Sequence, residues 1–193
     1  GRIGVKPNKD EGSIFWFTLP IVKNPVFENF EQKETFQAQK NSKILIIDDN
    51  QKAANSLIKI LNAAGIFDIE STTQPQNTIQ LILDAESQKN PFNLVFIDMI
   101  MPAMDGWHLA SEIHNEKKIK NTPELYLIVP EGQMKGEAKM KMLNWFEGYL
   151  YKPLKRKKVF ELLKERTDKK NNNIVELELA NDDMIMTLEP VDD

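Results

Sequence analysis

Three acidic positions and one lysine hold most of the chemistry in this chain. Asp48-Asp49 closes the apolar run Ile44 to Ile47, Asp98 closes Leu94 to Ile97, and Lys152-Pro153 follows Tyr149-Leu150-Tyr151. Brought together, the three carboxylates repel one another and raise their own pKa values unless a cation joins them. Oxygen ligands without His or Cys select a hard ion such as Mg²⁺, which keeps several of its waters. Lys152 adds a second positive charge to the same pocket. Such a site suits a dianionic phosphoryl group: one carboxylate attacks while metal and ammonium neutralise the developing charge, and the product is an aspartyl phosphate.

These residues must be positioned by a sheet. Each apolar run reads as a buried parallel strand, which places the charged residues at the carboxyl edge, where open α/β sheets build their sites. Strands are expected at Lys43 to Ile47, Ile66 to Ser71, Leu94 to Asp98, Leu125 to Val129 and Tyr149 to Tyr151. Helices are expected between and after them, at Gln51 to Ala64 with Gly65 as its stop, Pro75 to Ser87, Gly106 to Glu116, Gly136 to Phe146 and Leu154 to Arg166. Leu57, Ile58, Leu61 and Ala64 give the first helix an apolar face, and Val159, Leu162 and Leu163 do the same for the last. Five strand-helix repeats with right-handed crossovers form an α/β doubly wound five-stranded parallel sheet.

Composition permits this fold and removes several rivals. The chain has 193 residues, 41% of them hydrophobic, enough for one core with appendages. A net charge of −4 gives no reason to expect nucleic-acid binding. The absence of cysteine removes disulfides, thiolate metal sites and thiol nucleophiles together. No apolar run approaches the length of a membrane span, and Gly1-Arg2-Ile3-Gly4 does not open a signal peptide, so a cytoplasmic location without direct membrane insertion is expected.

Four parts are expected: a hairpin over 1–20, a linker over 21–42, the globular unit over 43–167, and an acidic tail over 168–193. The hairpin reads as Arg2 to Val5, a turn at Lys9 to Gly12, and Ser13 to Leu19 stopped by Pro20. The tail carries Glu176, Glu178, Asp182, Asp183, Glu189, Asp192 and Asp193 with no basic residue after Lys170. Its alternation from Ile174 to Leu179 could form a strand, although a mobile tail is the preferred reading.

The segments Ile44 to Asn50, Leu94 to Gly106 and Gly148 to Pro153 together resemble the receiver domain of two-component response regulators, in the right order and on the right elements. The resemblance implies a flavodoxin-like (CheY-like) fold with strand order 2-1-3-4-5. It implies Asp98 as phosphoacceptor, Asp48, Asp49 and Asp98 as Mg²⁺ ligands together with the backbone carbonyl of Ile100, and Lys152 as the contact to the phosphoryl group. The donor it implies is a phosphohistidine on a histidine kinase or a phosphotransfer domain. It also leaves open a homodimer through the fourth and fifth strand-helix face.

One part of the pattern is missing. Receivers carry Ser or Thr at the end of the fourth strand, but counting from Asp98 reaches Ile128 and counting back from Lys152 reaches Pro130, and neither these nor Val129 has a hydroxyl. Tyr149, at the position of the switch aromatic, then lacks its usual trigger. The apolar Ile100 offers nothing to orient an attacking water, so slow hydrolysis of any phosphoryl group is expected.

The first twenty residues resemble the last strands of a histidine-kinase ATP-binding domain, with Gly12-Ser13 ending its final glycine box. None of that domain's other nucleotide motifs is present, so the segment is not an autonomous kinase. The order implies the carboxyl-terminal part of a hybrid histidine kinase whose parent can be membrane-anchored. Two functional classes follow: a phosphorelay receiver, or a pseudo-receiver that acts as an interaction module without phosphorylation. An aspartate-dependent phosphatase fits poorly, because Asp98-Met99-Ile100 lacks a second Asp as general acid.

Plainer readings exist for individual residues. Asp48 or Asp49 alone could cap the helix beginning near Gln51, and Asp105 reads as a cap for the Gly106 helix. Met99, Met101 and Met104 read as packing, and His108 and His114 as surface or packing residues.

Overall fold

The structure is a computed structural model that describes residues 1–9, 11–20, 42–102, 104–131 and 145–169. The chain divides into two compact units, Gly1–Thr35 and Phe36–Asp193. Expectations for the linker, for a strand at Ile174 to Leu179 and for most of the Gly136 to Phe146 helix lie outside the described residues. Of that helix only Trp145 and Phe146 are described, and both have irregular backbone.

The first unit contains an antiparallel hairpin of β1 (Arg2–Pro7) and β2 (Ser13–Thr18). Asn8 donates its backbone N–H to the Gly12 carbonyl at 3.1 Å, and Gly12 has φ 85°, a conformation that costs a side-chain-bearing residue dearly. Ile3 pairs with Phe17 and Val5 with Phe15, so one face carries four exposed apolar side chains. On the opposite face the Trp16 ring lies over Gly4, where a Cβ would meet it at 2.6 Å.

The second unit is a five-stranded sheet in the order β4-β3-β5-β6-β7, with every adjacent pair parallel. Its strands are β3 (Ile44–Ile47), β4 (Ile69–Thr72), β5 (Leu94–Asp98), β6 (Glu124–Pro130) and β7 (Gly148–Lys152). Counted within the unit, this is the expected order 2-1-3-4-5. The helices are α1 (Gln51–Ala63), α2 (Thr78–Ser87), α3 (Gly106–Asn115) and α4 (156–169).

Strand alternation splits the core into two layers. Ile44, Ile46, Leu94, Phe96, Ile128 and Leu150 pack with Leu57 and Leu61 of α1 and Val159 and Leu163 of α4. Leu45, Ile47, Val95, Ile97, Leu127 and Val129 pack with Ile82 of α2 and Leu109 and Ile113 of α3. Both faces are therefore covered, which is why β3 and β5 read as unbroken apolar runs. Met101 is buried in the second layer with Met99 and Met104 packed against it, as the packing reading expects.

Several boundaries differ from expectation, and two of the shifts have a clear local cause. Ile66 does not begin a strand: its N–H donates to the Leu61 carbonyl while Gly65, at φ 87°, donates to Asn62, so the pair closes α1 with a Schellman-type cap. Ile66 is fully buried because such caps press the residue after the glycine against the helix, and β4 starts three residues later. The segment from Pro75 begins with a 3₁₀ turn over Pro75–Asn77, and α2 proper starts at Thr78.

Asp105 caps α3, its carboxylate accepting from the His108 N–H at 2.7 Å. Asp105→Ala is expected to cost about 1 kcal/mol, read as a lowered urea midpoint with an unchanged slope. His108 pairs with Glu112 at 3.3 Å and His114 lies against Trp145, so neither joins the acidic site.

Candidate functional site

Parallel strands end in register at one edge, and three of them deliver the charged residues there. Ile47 aligns with Ile97, so Asp48 and Asp98 leave adjacent strand ends side by side. Both are buried, at 2% and 3% exposure, whereas Asp49 is exposed. Ligand oxygens of Asp48, Asp49 and Asp98 lie within 4.8 Å of one another. Among the described residues this is the one cluster of three or more acidic or imidazole groups close enough to share a metal ion.

Local backbone fixes the two buried carboxylates. Asp48 Oδ1 accepts from the Asn50 N–H at 2.9 Å, and Asn50 in turn caps α1 by accepting from Lys52 at 3.0 Å. Thus neither Asp48 nor Asp49 is the cap; Asn50 takes that task and leaves both acids available. Asp98 Oδ1 accepts a long 3.5 Å contact from the Ile100 N–H. The Met99 N–H donates to the Ile128 carbonyl at 2.9 Å, which anchors the chain just beyond Asp98 to β6.

Lys152 reaches in from the end of β7. Its ammonium donates to Asp98 Oδ2 at 2.8 Å and to Asp48 Oδ2 at 3.2 Å, bridging the two buried acids. Burial pushes the Asp98 carboxyl above the ordinary Asp range; the Lys152 contact opposes this without cancelling it, and Asp48 adds repulsion. Burial works against the Lys152 ammonium too, but Asp98 and Asp48 outweigh it and hold its pKa above the usual lysine value. The arrangement concentrates negative charge in a low-exposure pocket with one built-in cation, which suits binding a further hard cation and an oxyanion.

The remaining candidates fall around this centre. Ile100 is half-exposed beside the acids. Ile128 and Val129 are buried inside β6, which runs on to Pro130, and the register sets Pro130 opposite Lys152. Tyr149 is partly buried against the α3 layer, and its ring meets Tyr151 edge-on with centroids 5.3 Å apart. The sequence reading did not single out the run Lys155-Arg156-Lys157-Lys158, which follows the site lysine at the same sheet edge. Four consecutive cations were the available signal.

A sheet of this order with an acidic triad and a lysine at its carboxyl edge defines a doubly wound, flavodoxin-like domain. The family model of the response regulator receiver domain matches residues 44–164, and the chain belongs to that family. It is similar to hybrid signal transduction histidine kinase L of Dictyostelium discoideum, 24% identical over 136 residues that cover 70% of this chain and 8% of that protein. It is also similar to the osmosensing histidine protein kinase SLN1 of Saccharomyces cerevisiae, 26% identical over 152 residues covering 77% of this chain and 12% of that one. The chain thus spans about a tenth of the length of these relatives. Among solved structures, the receiver domain of the histidine kinase CKI1 from Arabidopsis thaliana complexed with Mg²⁺ superposes with a TM-score of 0.55. That match has 22% identity and covers 64% of this chain and 90% of that one. The chain therefore contains a two-component receiver domain homologous to those of hybrid histidine kinases. No helix among the described residues is long and apolar enough to cross a membrane.

Proposed function

We propose that residues 43–167 accept a phosphoryl group from a phosphohistidine onto Asp98. The observation that carries this reading is the Lys152 ammonium held 2.8 Å from Asp98 and 3.2 Å from Asp48, within a triad whose oxygens converge to 4.8 Å. An Asp98 oxygen attacks phosphorus, the bond from phosphorus to the imidazole nitrogen breaks, and the donor histidine leaves with that electron pair. Lys152 loosens from Asp48 and follows the transferred oxygens, which carry the charge. Three carboxylates with no softer ligand fit Mg²⁺, and Asp48, Asp49, Asp98 and the Ile100 carbonyl are the groups that would hold it. Bound there, the ion neutralises charge on the phosphoryl oxygens.

A second reading rests on Pro130. Where a receiver's hydroxyl contacts the phosphoryl group and draws the next loop inward, this chain presents a pyrrolidine ring opposite Lys152. Without that contact Asp98 phosphorylation has a weaker hold on Tyr149, and the domain can instead serve as a pseudo-receiver that docks without phosphorylation. The intact triad and Lys152 favour the first reading. In the wider chain we read 1–20 as the end of a histidine-kinase ATP-binding domain and 21–42 as a linker, so the parent is a hybrid histidine kinase. Its partners are then a histidine kinase or a phosphotransfer domain.

Intact-mass spectrometry after incubation with acetyl phosphate and Mg²⁺ tests the assignment. A gain of one phosphoryl group that disappears without Mg²⁺ and in Asp98→Asn is the expected result. No gain from acetyl phosphate or from a phosphorylated cognate kinase would leave the pseudo-receiver reading as the better one.

A further inference from the structure

A cavity of about 500 Å³, lined chiefly by β7 and α4, contains none of the three site acids, although Lys152 lines it. That volume falls within the about 300–1,000 Å³ usual for small-molecule sites. Its apolar lining includes Tyr126, Leu150 and Leu162. Gly148 keeps it open. A Cβ there would lie 3.4 Å from two carbons of the Tyr126 ring and 3.9 Å from Leu162 Cδ1, so a longer side chain would fill space that now belongs to the cavity.

Arg166 is the lining residue whose hydrogen-bonding capacity is unmet. Its side chain is 5% exposed and its Nε donates to Glu124 Oε2 at 2.6 Å, while the Tyr126 hydroxyl donates to the same oxygen at 3.3 Å. Burial, with the Glu124 carboxylate second, pushes the Tyr126 pKa far above the usual tyrosine value, so the phenol stays protonated and remains a donor. A guanidinium also donates from both terminal nitrogens, and those of Arg166 meet no acceptor among the described residues. Thr78 Oγ1 is the one polar side-chain atom sealed from solvent without a partner among the described residues. The terminal nitrogens of Arg166 are therefore not sealed, and they open on the cavity that Arg166 lines. Donors this deep cost stability unless an acceptor reaches them, and a planar fork matches a carboxylate.

We infer that this cavity binds a small organic monocarboxylate, with its carboxylate on the terminal nitrogens of Arg166 and its apolar body against Tyr126, Leu150 and Leu162. Glu147 and Glu165 also line the cavity and repel a second negative charge, which favours a monoanion over phosphate or a dicarboxylate. The assignment does not depend on whether Asp98 accepts a phosphoryl group.

Phenylacetate is a suitable probe, because it joins one carboxylate to one apolar ring. Added to the isotope-labelled full chain, it is expected to shift the backbone amide signals of Gly148, Leu162 and Arg166 saturably, with a Kd of about 1 mM or lower. Phenethylamine has the same ring and the opposite charge, and inorganic phosphate has charge without an apolar body; both should leave these signals unmoved. Arg166→Lys keeps a cation for Glu124 but loses the fork, and should weaken phenylacetate binding about tenfold or more. Gly148→Val leaves Arg166 in place and should abolish binding, since it fills the cavity with a side chain suited to a strand. Absence of saturable shifts in the wild-type chain, equal shifts with phenethylamine or phosphate, or undiminished binding in either variant would each overturn the assignment.

Discussion

Lys152→Met is expected to destabilise the receiver by about 1–3 kcal/mol at neutral pH and by progressively less in acid. Removing one partner of a fully buried ion pair costs about 3–5 kcal/mol, and the lower figure follows because the Lys152 side chain is 31% exposed. The sign of the pH dependence comes from the carboxylates. Asp98 has a raised pKa in the fold. Its ionisation therefore costs nothing below the ordinary Asp value, and the cost comes fully into force as pH rises through the raised one. Without the ammonium that cost grows, since Asp48 and Asp98 then face each other unscreened. Urea unfolding of both proteins between about pH 4 and 8 should show midpoints that converge in acid and separate above it. Mg²⁺ should narrow the gap at neutral pH by supplying the missing charge. A difference independent of pH would mean that Lys152 acts through its packed stem and not through its charge. In the phosphoryl-gain assay the variant should react about 10²-fold more slowly, as when one preorganised transition-state contact is lost.

The residues behind that prediction were readable from the sequence because each follows an unbroken apolar run. A run buried on both faces announces a parallel strand, and the first polar residue after it must lie at the carboxyl edge. Asp48, Asp98 and Lys152 all obeyed that logic, while the order of the five strands was what the family resemblance implied and the sheet shows. Ile66 defeated it because burial alone does not distinguish a strand from the apolar residue that seals a helix cap. The identity of the cap on α1 was missed for a related reason: three adjacent polar residues, Asp48, Asp49 and Asn50, can each accept from a helix N-terminus. Only the backbone path shows that Asn50 does so while its own N–H holds Asp48 in place. The bridge made by Lys152 was likewise invisible in one dimension, since nothing in the spacing says that it contacts both buried acids at once. Counting left Ile128, Val129 and Pro130 as rivals at the end of the fourth strand, and the register places Pro130 across from the site lysine.

Gly106→Ala is expected to couple a stability loss of about 1–3 kcal/mol to a loss of phosphoryl acceptance. Gly106 is the first residue of α3, and its N–H donates to the Met99 carbonyl at 3.0 Å. A Cβ there would sit 2.7 Å from the Asp98 carbonyl oxygen, 2.9 Å from Leu127 Cδ1 and 3.1 Å from Met99 Cα. Leu127 can turn aside at some cost, but two of the three obstacles are backbone. The methyl group therefore has to push α3 away or shift the chain at Asp98, whose neighbour Met99 is tied to β6 through Ile128. Displacing Asp98 disturbs its contact with Lys152 and its distance to the other acids, and misplacement of about 1 Å can cost about 10² in rate. Asp105→Ala is the matched control, because it weakens the same helix start by about 1 kcal/mol without adding an atom near Asp98. Intact-mass time courses with acetyl phosphate and Mg²⁺ should show Gly106→Ala slower by about tenfold or more while Asp105→Ala stays within about twofold of wild type. Equal slowing in both variants would assign the effect to α3 stability alone. A wild-type rate in Gly106→Ala would show that the loop absorbs the methyl group without moving Asp98.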